Sequence, residues 1–135
     1  MPILTVNNLS LAFKHYLILQ NVSFCVEETD IFAIMGEANS GKSSLQKALV
    51  GLHKPLEGSI HYGETDLWSL SKKERKAFLL RLGVLYQQGS LLNFLTVAEN
   101  IALPLNIYSG LTDSDIDELV HLKLNMVGML AYRDH

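Results

Sequence analysis

The sequence predicts an α/β fold, and three observations support this prediction. Short apolar segments separated by turn residues dominate the first half of the chain, whereas amphipathic helical patterns dominate the second half. Between the apolar run 31–35 and a helical pattern that stops at Pro55 lies a glycine-rich loop, so the order there is strand, loop, helix. The length of 135 residues suits one domain of ordinary size, or part of one.

The N-terminal residues are expected to form strands. Ile3–Val6 and Leu9–Phe13 are separated by the turn pair Asn7-Asn8, which predicts an opening hairpin. In residues 22–26 large apolar side chains alternate with smaller ones, a pattern typical of a half-buried strand.

Further strands are expected on both sides of the first helix. Residues 31–35 are apolar at every position, which predicts a central strand covered on both faces. Ile60 and Tyr62 predict an edge strand, and residues 83–86 predict another buried strand.

Three segments of the second half open with capping patterns, in which a hydroxyl and an acidic residue three positions later satisfy each other's backbone N–H groups. The pairs are Ser71/Glu74, Thr96/Glu99 and Thr112/Asp115. The last pair precedes an apolar stripe at helical spacing, formed by Ile116, Leu119, Val120, Leu124, Val127 and Leu130. The basic cluster 72–76 is expected to be the solvated face of a helix.

Composition excludes several classes of function. The net charge of −3 argues against a dedicated nucleic-acid-binding protein, so an anionic ligand requires a local site. Cys25 is the only cysteine, which excludes an intrachain disulfide, makes a cysteine-built zinc site a poor candidate and favours a reducing compartment. No apolar run approaches the roughly 20 residues needed to span a bilayer, and the first residues lack the basic start of a signal peptide, so a cytosolic location is expected.

The strongest chemical signal is the loop 36–43, which matches G-x-x-x-x-G-K-[ST] at every fixed position. Small residues let successive backbone N–H groups surround a phosphate, and the following helix N-terminus adds partial positive charge. Lys42 is expected to reach the β- and γ-phosphates, Ser43 to ligate Mg²⁺, and Ser44 to support the α-phosphate. The predicted ligand-binding residues of this loop are Gly36, Asn39, Ser40, Gly41, Lys42, Ser43 and Ser44.

Around this loop the chain resembles the N-terminal part of an ABC-transporter ATPase subunit. The resemblance extends over nearly the whole chain, through the segments 9–13, 22–24, 33–36, 52–60 and 85–87. Segments 87–92 and 95–105 look most like ATPases of the Mla/Mce type, which drive phospholipid trafficking at the inner membrane of diderm bacteria. Other exporters carry similar Val-x-Glu-Asn-x-x-x-Pro sequences, so this subfamily resemblance is the less specific one.

The resemblance implies a P-loop NTPase core with an antiparallel β subdomain over residues 1–88, and the start of a helical subdomain over residues 89–135. It also implies two further site residues. Phe13 matches the aromatic residue that stacks on adenine, with Tyr16 as the competing candidate and a core-facing side chain as the structural alternative. Gln87 matches the glutamine that approaches Mg²⁺ and the attacking water, with Gln88 as the alternative position.

Two departures from the family pattern stand out. Asn39 occupies a position that is usually Gly, although Asn also tolerates left-handed backbone. The sequence holds no Leu-Ser-Gly-Gly signature, no apolar run ending in Asp-Glu and no later switch histidine, and it stops where the signature is expected to begin. We therefore expect an N-terminal fragment or truncated product of such a subunit, inactive as an ATPase by itself.

Three functions are compatible with these observations. The first is the ATP-binding subunit of an ABC transporter, which uses ATP and Mg²⁺, pairs with a second ATPase subunit and a transmembrane permease, and lies on the cytoplasmic face of the inner membrane. The second is a non-enzymatic nucleotide-binding or assembly module, and the third is a small P-loop kinase. A kinase needs acceptor-binding arginines, and the chain has only Arg75, Arg81 and Arg133.

Overall fold

The computed structural model describes residues 2–86 and 91–135. The chain divides into two compact units, Met1–Val84 and Leu85–His135. The assignment of residues 1–88 to a nucleotide-binding core and of residues 89–135 to a helical subdomain stays a prediction.

The first unit is built on a four-stranded antiparallel sheet with the order β2-β1-β3-β4. Its strands are β1 (Leu4–Phe13), β2 (Tyr16–Val26), β3 (Glu57–Tyr62) and β4 (Thr65–Asp66). Two helices accompany the sheet, α1 (Lys42–Leu49) and α2 (Lys72–Leu79). β1 and β3 have strand neighbours on both sides, and both contribute fully buried apolar side chains to the core.

The core of this unit joins the inner strands to α1. Its buried members are Val6, Leu9, Leu11, Leu45, Ala48, Ile60 and Leu67. Leu45 and Ala48 lie one helical turn apart and bury one face of α1, as their spacing predicts. This packing fixes the helix that carries the glycine-rich loop at its N-terminus.

The opening hairpin is present, but its turn lies at Lys14-His15 rather than at Asn7-Asn8. β1 continues through the asparagine pair with a shift of register between Val6 and Leu9. Asn8 adopts a left-handed φ of 47°, and its side-chain amide donates to Asn21 Oδ1 at 2.7 Å. These side-chain hydrogen bonds replace missing ladder contacts, so the pair forms a bulge instead of ending the strand.

Three strand predictions need correction. Residues 31–35 and 83–86 form no strand, and Ile31 and Met35 are 102% and 89% exposed. No strand within residues 2–86 or 91–135 pairs with either segment, so their backbone lacks the ladder that defines a strand. The strand around Ile60 is not an edge strand either, because the short β4 pairs with its outer side.

The second unit contains α3 (Val97–Tyr108), α4 (Asp113–Met126) and a 3₁₀ turn at Leu130–Tyr132. Ile116, Val120 and Leu124 form its buried core, which confirms the centre of the predicted stripe, whereas Val127 is exposed. None of the helices in the described parts of the chain is both long and apolar enough to cross a lipid bilayer.

All three predicted capping boxes are confirmed, at the N-termini of α2, α3 and α4. The hydrogen bonds from Ser71 lower the pKa of Glu74, and those from Thr112 lower the pKa of Asp115, because both favour the ionised carboxylate. Residues Lys72, Lys73 and Lys76 of the basic cluster are exposed as predicted. Arg75 differs, since its guanidinium lies 4.4 Å from the centre of the Trp68 ring.

We expect the substitution Leu9→Ala to lower the free energy of unfolding of the first unit by about 2–5 kcal/mol, because it leaves a cavity at a fully buried site. The matched control is Leu17→Ala on the neighbouring strand, where the side chain is 51% exposed. Urea unfolding followed by circular dichroism measures both. Equal effects of the two substitutions would contradict the assigned core.

Candidate functional site

The glycine-rich loop leads directly into α1 through two residues with left-handed backbone. Asn39 has a φ of 62° and Gly41, the N-cap of α1, has a φ of 93°. The expectation that Asn39 can take a left-handed conformation is therefore confirmed. Asn keeps the loop's path where a bulkier residue would be strained.

The Lys42 side chain closes back over its own loop. Its ammonium donates to the Gly36 carbonyl at 2.8 Å, to the Glu37 carbonyl at 2.5 Å and to Ser40 Oγ at 3.2 Å. These contacts place one full positive charge at the centre of the loop. Carbonyl and hydroxyl oxygens do not neutralise that charge, so it is available to an anion.

The first turn of α1 adds backbone donors beside Lys42. The first intrahelical hydrogen bond runs from Leu45 N to Gly41 O at 2.9 Å, so the amides of residues 42–44 precede the helix ladder. The partial positive charge of the helix dipole lies at the same end. A cleft of about 330 Å³ opens here, lined by Ile18 and residues 39–44.

Strand β2 approaches the loop so closely that position 41 has no room for a side chain. A Cβ at Gly41 would lie 2.9 Å from Ile18 Cγ2 and 2.9 Å from Leu19 Cγ. The register explains this approach, because Ala12 pairs with Leu17 and Leu11 pairs with Leu19, which makes Ile18 an extra bulge residue. Both side chains of the bulge contact the loop.

Phe13 and Tyr16 lie opposite each other at the tip of the hairpin. They are 60% and 78% exposed, so the core-facing alternative for Phe13 is wrong. The Lys14 ammonium lies 5.9 Å from the centre of the Phe13 ring. Both rings are accessible at the end of the strand pair that contacts the glycine-rich loop.

Gln87 and Gln88 lie outside the described residues. Among the described residues, no group of three or more His, Cys, Asp or Glu side chains is arranged to hold a metal ion. Ile18 lines the cleft but was not predicted as a site residue, because a β-bulge has no reliable local sequence pattern.

Comparison with known proteins places this geometry in context. A family model described as ABC transporter matches residues 19–134. The methionine import ATP-binding protein MetN 1 of Burkholderia pseudomallei is 34% identical over 116 residues, which are 86% of this chain and 33% of that protein. The probable ribonucleotide transport ATP-binding protein mkl of Mycobacterium bovis is 32% identical over 124 residues, which are 92% of this chain and 34% of that protein.

Solved structures agree with these sequence matches. The ATP-binding cassette MJ0796, a dimeric post-hydrolysis state bound to ADP and Pi, aligns with a TM-score of 0.84 and 26% identity over 98% of this chain and 60% of that chain. CbiO1 of Clostridium perfringens, part of the ABC transporter complex cbiONQ, aligns with a TM-score of 0.80 and 21% identity over 98% of this chain and 53% of that chain. The predicted P-loop α/β fold is confirmed. The chain spans about a third of the length of the curated relatives it matches.

We expect Gly41→Ala to destabilise the first unit more than Gly63→Ala, although both glycines have positive φ. Gly63 has open space around a Cβ and tests backbone strain alone, whereas Gly41 adds the clash with β2. The difference should be roughly 1–3 kcal/mol in the free energy of unfolding. Equal losses in denaturant titrations would show that β2 yields to the methyl group.

Proposed function

Because the chain belongs to the ABC transporter family, we propose that its phosphate loop binds the triphosphate of ATP together with Mg²⁺. The observation that supports this most directly is the Lys42 ammonium, held inside a left-handed loop beside the free amides that open α1. One cation and several convergent N–H donors in a small cleft suit a polyphosphate better than any neutral ligand.

The proposal gives each loop residue a role by its chemistry. Lys42 exchanges its carbonyl contacts for the β- and γ-phosphate oxygens, since a charge-assisted hydrogen bond to an anion is stronger than one to a carbonyl. The Ser43 hydroxyl is exposed at the first turn of α1 and offers the hard oxygen that Mg²⁺ prefers. Gly36, Asn39, Ser40, Gly41 and Ser44 supply backbone or hydroxyl donors around the phosphates. Bound Mg²⁺ offsets the charge of the phosphate oxygens.

The base is proposed to stack on the hairpin tip. Phe13 matches the family's adenine-stacking residue, and its exposed ring supports this role. Tyr16 lies on the opposite strand, is more exposed than Phe13, and stays the competing candidate. The role of Gln87 at Mg²⁺ and the attacking water is likewise a proposal, resting on the family resemblance.

The relatives suggest how such a chain assembles. MJ0796 is dimeric in its solved state, and cbiO1 is part of a transporter complex. We accordingly propose a second ATPase subunit and a transmembrane permease as partners, with ATP hydrolysis coupled to transport from the cytoplasmic face of the membrane. These are properties of a complete ATPase subunit, of which this chain spans a part.

The cargo is a separate question. The relatives carry the names of methionine import and probable ribonucleotide transport proteins, which do not support the expectation of phospholipid trafficking. That expectation rested on segments 87–92 and 95–105, whose first four residues lie outside the described structure. Phospholipid cargo therefore stays a prediction from sequence resemblance.

We expect Lys42→Ala to weaken binding of Mg²⁺-ATP about ten- to a hundredfold, because it removes a charge-assisted contact worth roughly 1.5–3 kcal/mol. The matched control is Lys47→Ala, which removes the same charge from the exposed last turn of the same helix. Isothermal titration calorimetry measures both affinities. If the two variants bind as tightly as each other, net charge rather than the loop accounts for the affinity.

We expect the 135-residue chain alone to bind ATP without releasing phosphate at an appreciable rate. The sequence encodes no signature motif and no apolar run ending in Asp-Glu, so groups selective for the transition state are not supplied. Phosphate release with Mg²⁺ and ATP, compared with Lys42→Ala, measures this. Robust turnover that disappears in the variant would contradict the assignment of roles.

A further inference from the structure

His53 connects the helix of the phosphate loop to the strand of the hairpin. Its backbone N–H donates to the Lys47 carbonyl in the last turn of α1 at 3.1 Å. Its Nε2 lies 2.9 Å from the Ala12 carbonyl of β1, which directly precedes Phe13. His53 thus joins the C-terminal end of α1 to the strand segment that precedes the Phe13–Tyr16 tip of the hairpin.

The imidazole replaces a strand contact that the sheet does not provide. Pairing between β1 and β3 ends at Ser10 and Glu57. Beyond it, Leu56 N donates to Ser10 O at 2.9 Å, and His53 then reaches the carbonyl two residues further along the same edge. Carbonyls two residues apart in a strand face the same side, so His53 extends the hydrogen bonding of β1 up to Phe13.

The hydrogen bond specifies the chemistry of the side chain. A carbonyl oxygen only accepts, so Nε2 must carry the proton, in either the neutral or the charged imidazole. A shorter side chain at position 53 cannot reach the Ala12 carbonyl oxygen. A glutamine can, because its amide nitrogen lies about as far from Cα as Nε2 does.

We propose that His53 is a positioning residue that fixes the Phe13–Tyr16 tip relative to the phosphate loop, and so sets the spacing between the base and phosphate parts of the site. The inference rests on the proposed binding of ATP. The inference concerns only the part of the site that binds the nucleobase. The phosphate loop keeps its own contacts through Lys42, Ser40 and Gly41. Replacing the His53 side chain should therefore lower the affinity for ligands that carry a nucleobase and leave the affinity for polyphosphates without a nucleobase unchanged.

Calorimetry with two ligands, Mg²⁺-ATP and Mg²⁺-tripolyphosphate, tests the inference on the full chain. We expect His53→Ala and His53→Asn to weaken ATP binding about fivefold, the effect of losing one hydrogen bond, while tripolyphosphate binds as to the wild type. His53→Gln should restore ATP binding. His121→Ala, which truncates an exposed histidine on α4 in the other unit, is the matched control.

Each other outcome has a definite meaning. If both His53→Ala and His53→Asn bind ATP with wild-type affinity, the inference is overturned and the proposed function stands. The same conclusion follows if these variants lose equal affinity for ATP and for tripolyphosphate. Binding of neither ligand by the wild type refutes the proposed function and the inference together. If His53→Ala does not fold, the comparison of His53→Asn with His53→Gln decides, and weak ATP binding by a folded His53→Gln overturns the inference.

Discussion

The close approach of β2 to Gly41 is the constraint on which the first unit depends. The β-bulge at Ile18 directs two apolar side chains against the loop, and only a residue without Cβ fits between them and α1. The same contact fixes where α1 begins and therefore where its free amides lie. These contacts therefore hold the sheet, the loop and α1 in one fixed arrangement. The hairpin forms the wall of the cleft on the strand side, through Ile18.

Positive charge is concentrated locally in this loop although the chain as a whole is acidic. The net charge is −3, yet the loop concentrates one ammonium group and the positive end of a helix dipole in a small cleft. At physiological ionic strength charges beyond about 8 Å are strongly screened, so this local arrangement outweighs the overall charge. The carbonyl contacts of Lys42 keep the cation in place without cancelling it.

Local patterns in the sequence were predictive, whereas features that depend on distant partners were not. The loop, the start of α1 and the capping boxes follow from residues within a few positions of each other, and all were found as expected. The prediction of a strand at 31–35 was wrong. An apolar run becomes a buried strand only when neighbouring strands cover it, and none pairs with this segment within the described residues. The hairpin turn was misplaced because the Asn8 side chain bonds across the strands to Asn21, which lies 13 positions away along the chain, so no local pattern marks the bulge. His53 and Ile18 could not be identified, since their contacts join segments that are remote along the chain.

The most direct test of the central claim is an amide chemical-shift titration of the ¹⁵N-labelled chain with Mg²⁺-ATP. Binding through the phosphate loop predicts the largest shifts at the amides of residues 36–44, with smaller shifts at the hairpin tip around Phe13 and Tyr16. Mg²⁺-tripolyphosphate should reproduce the first set without the second. Shifts that avoid the loop, or that persist unchanged in Lys42→Ala, would contradict the assignment of this loop as the triphosphate site.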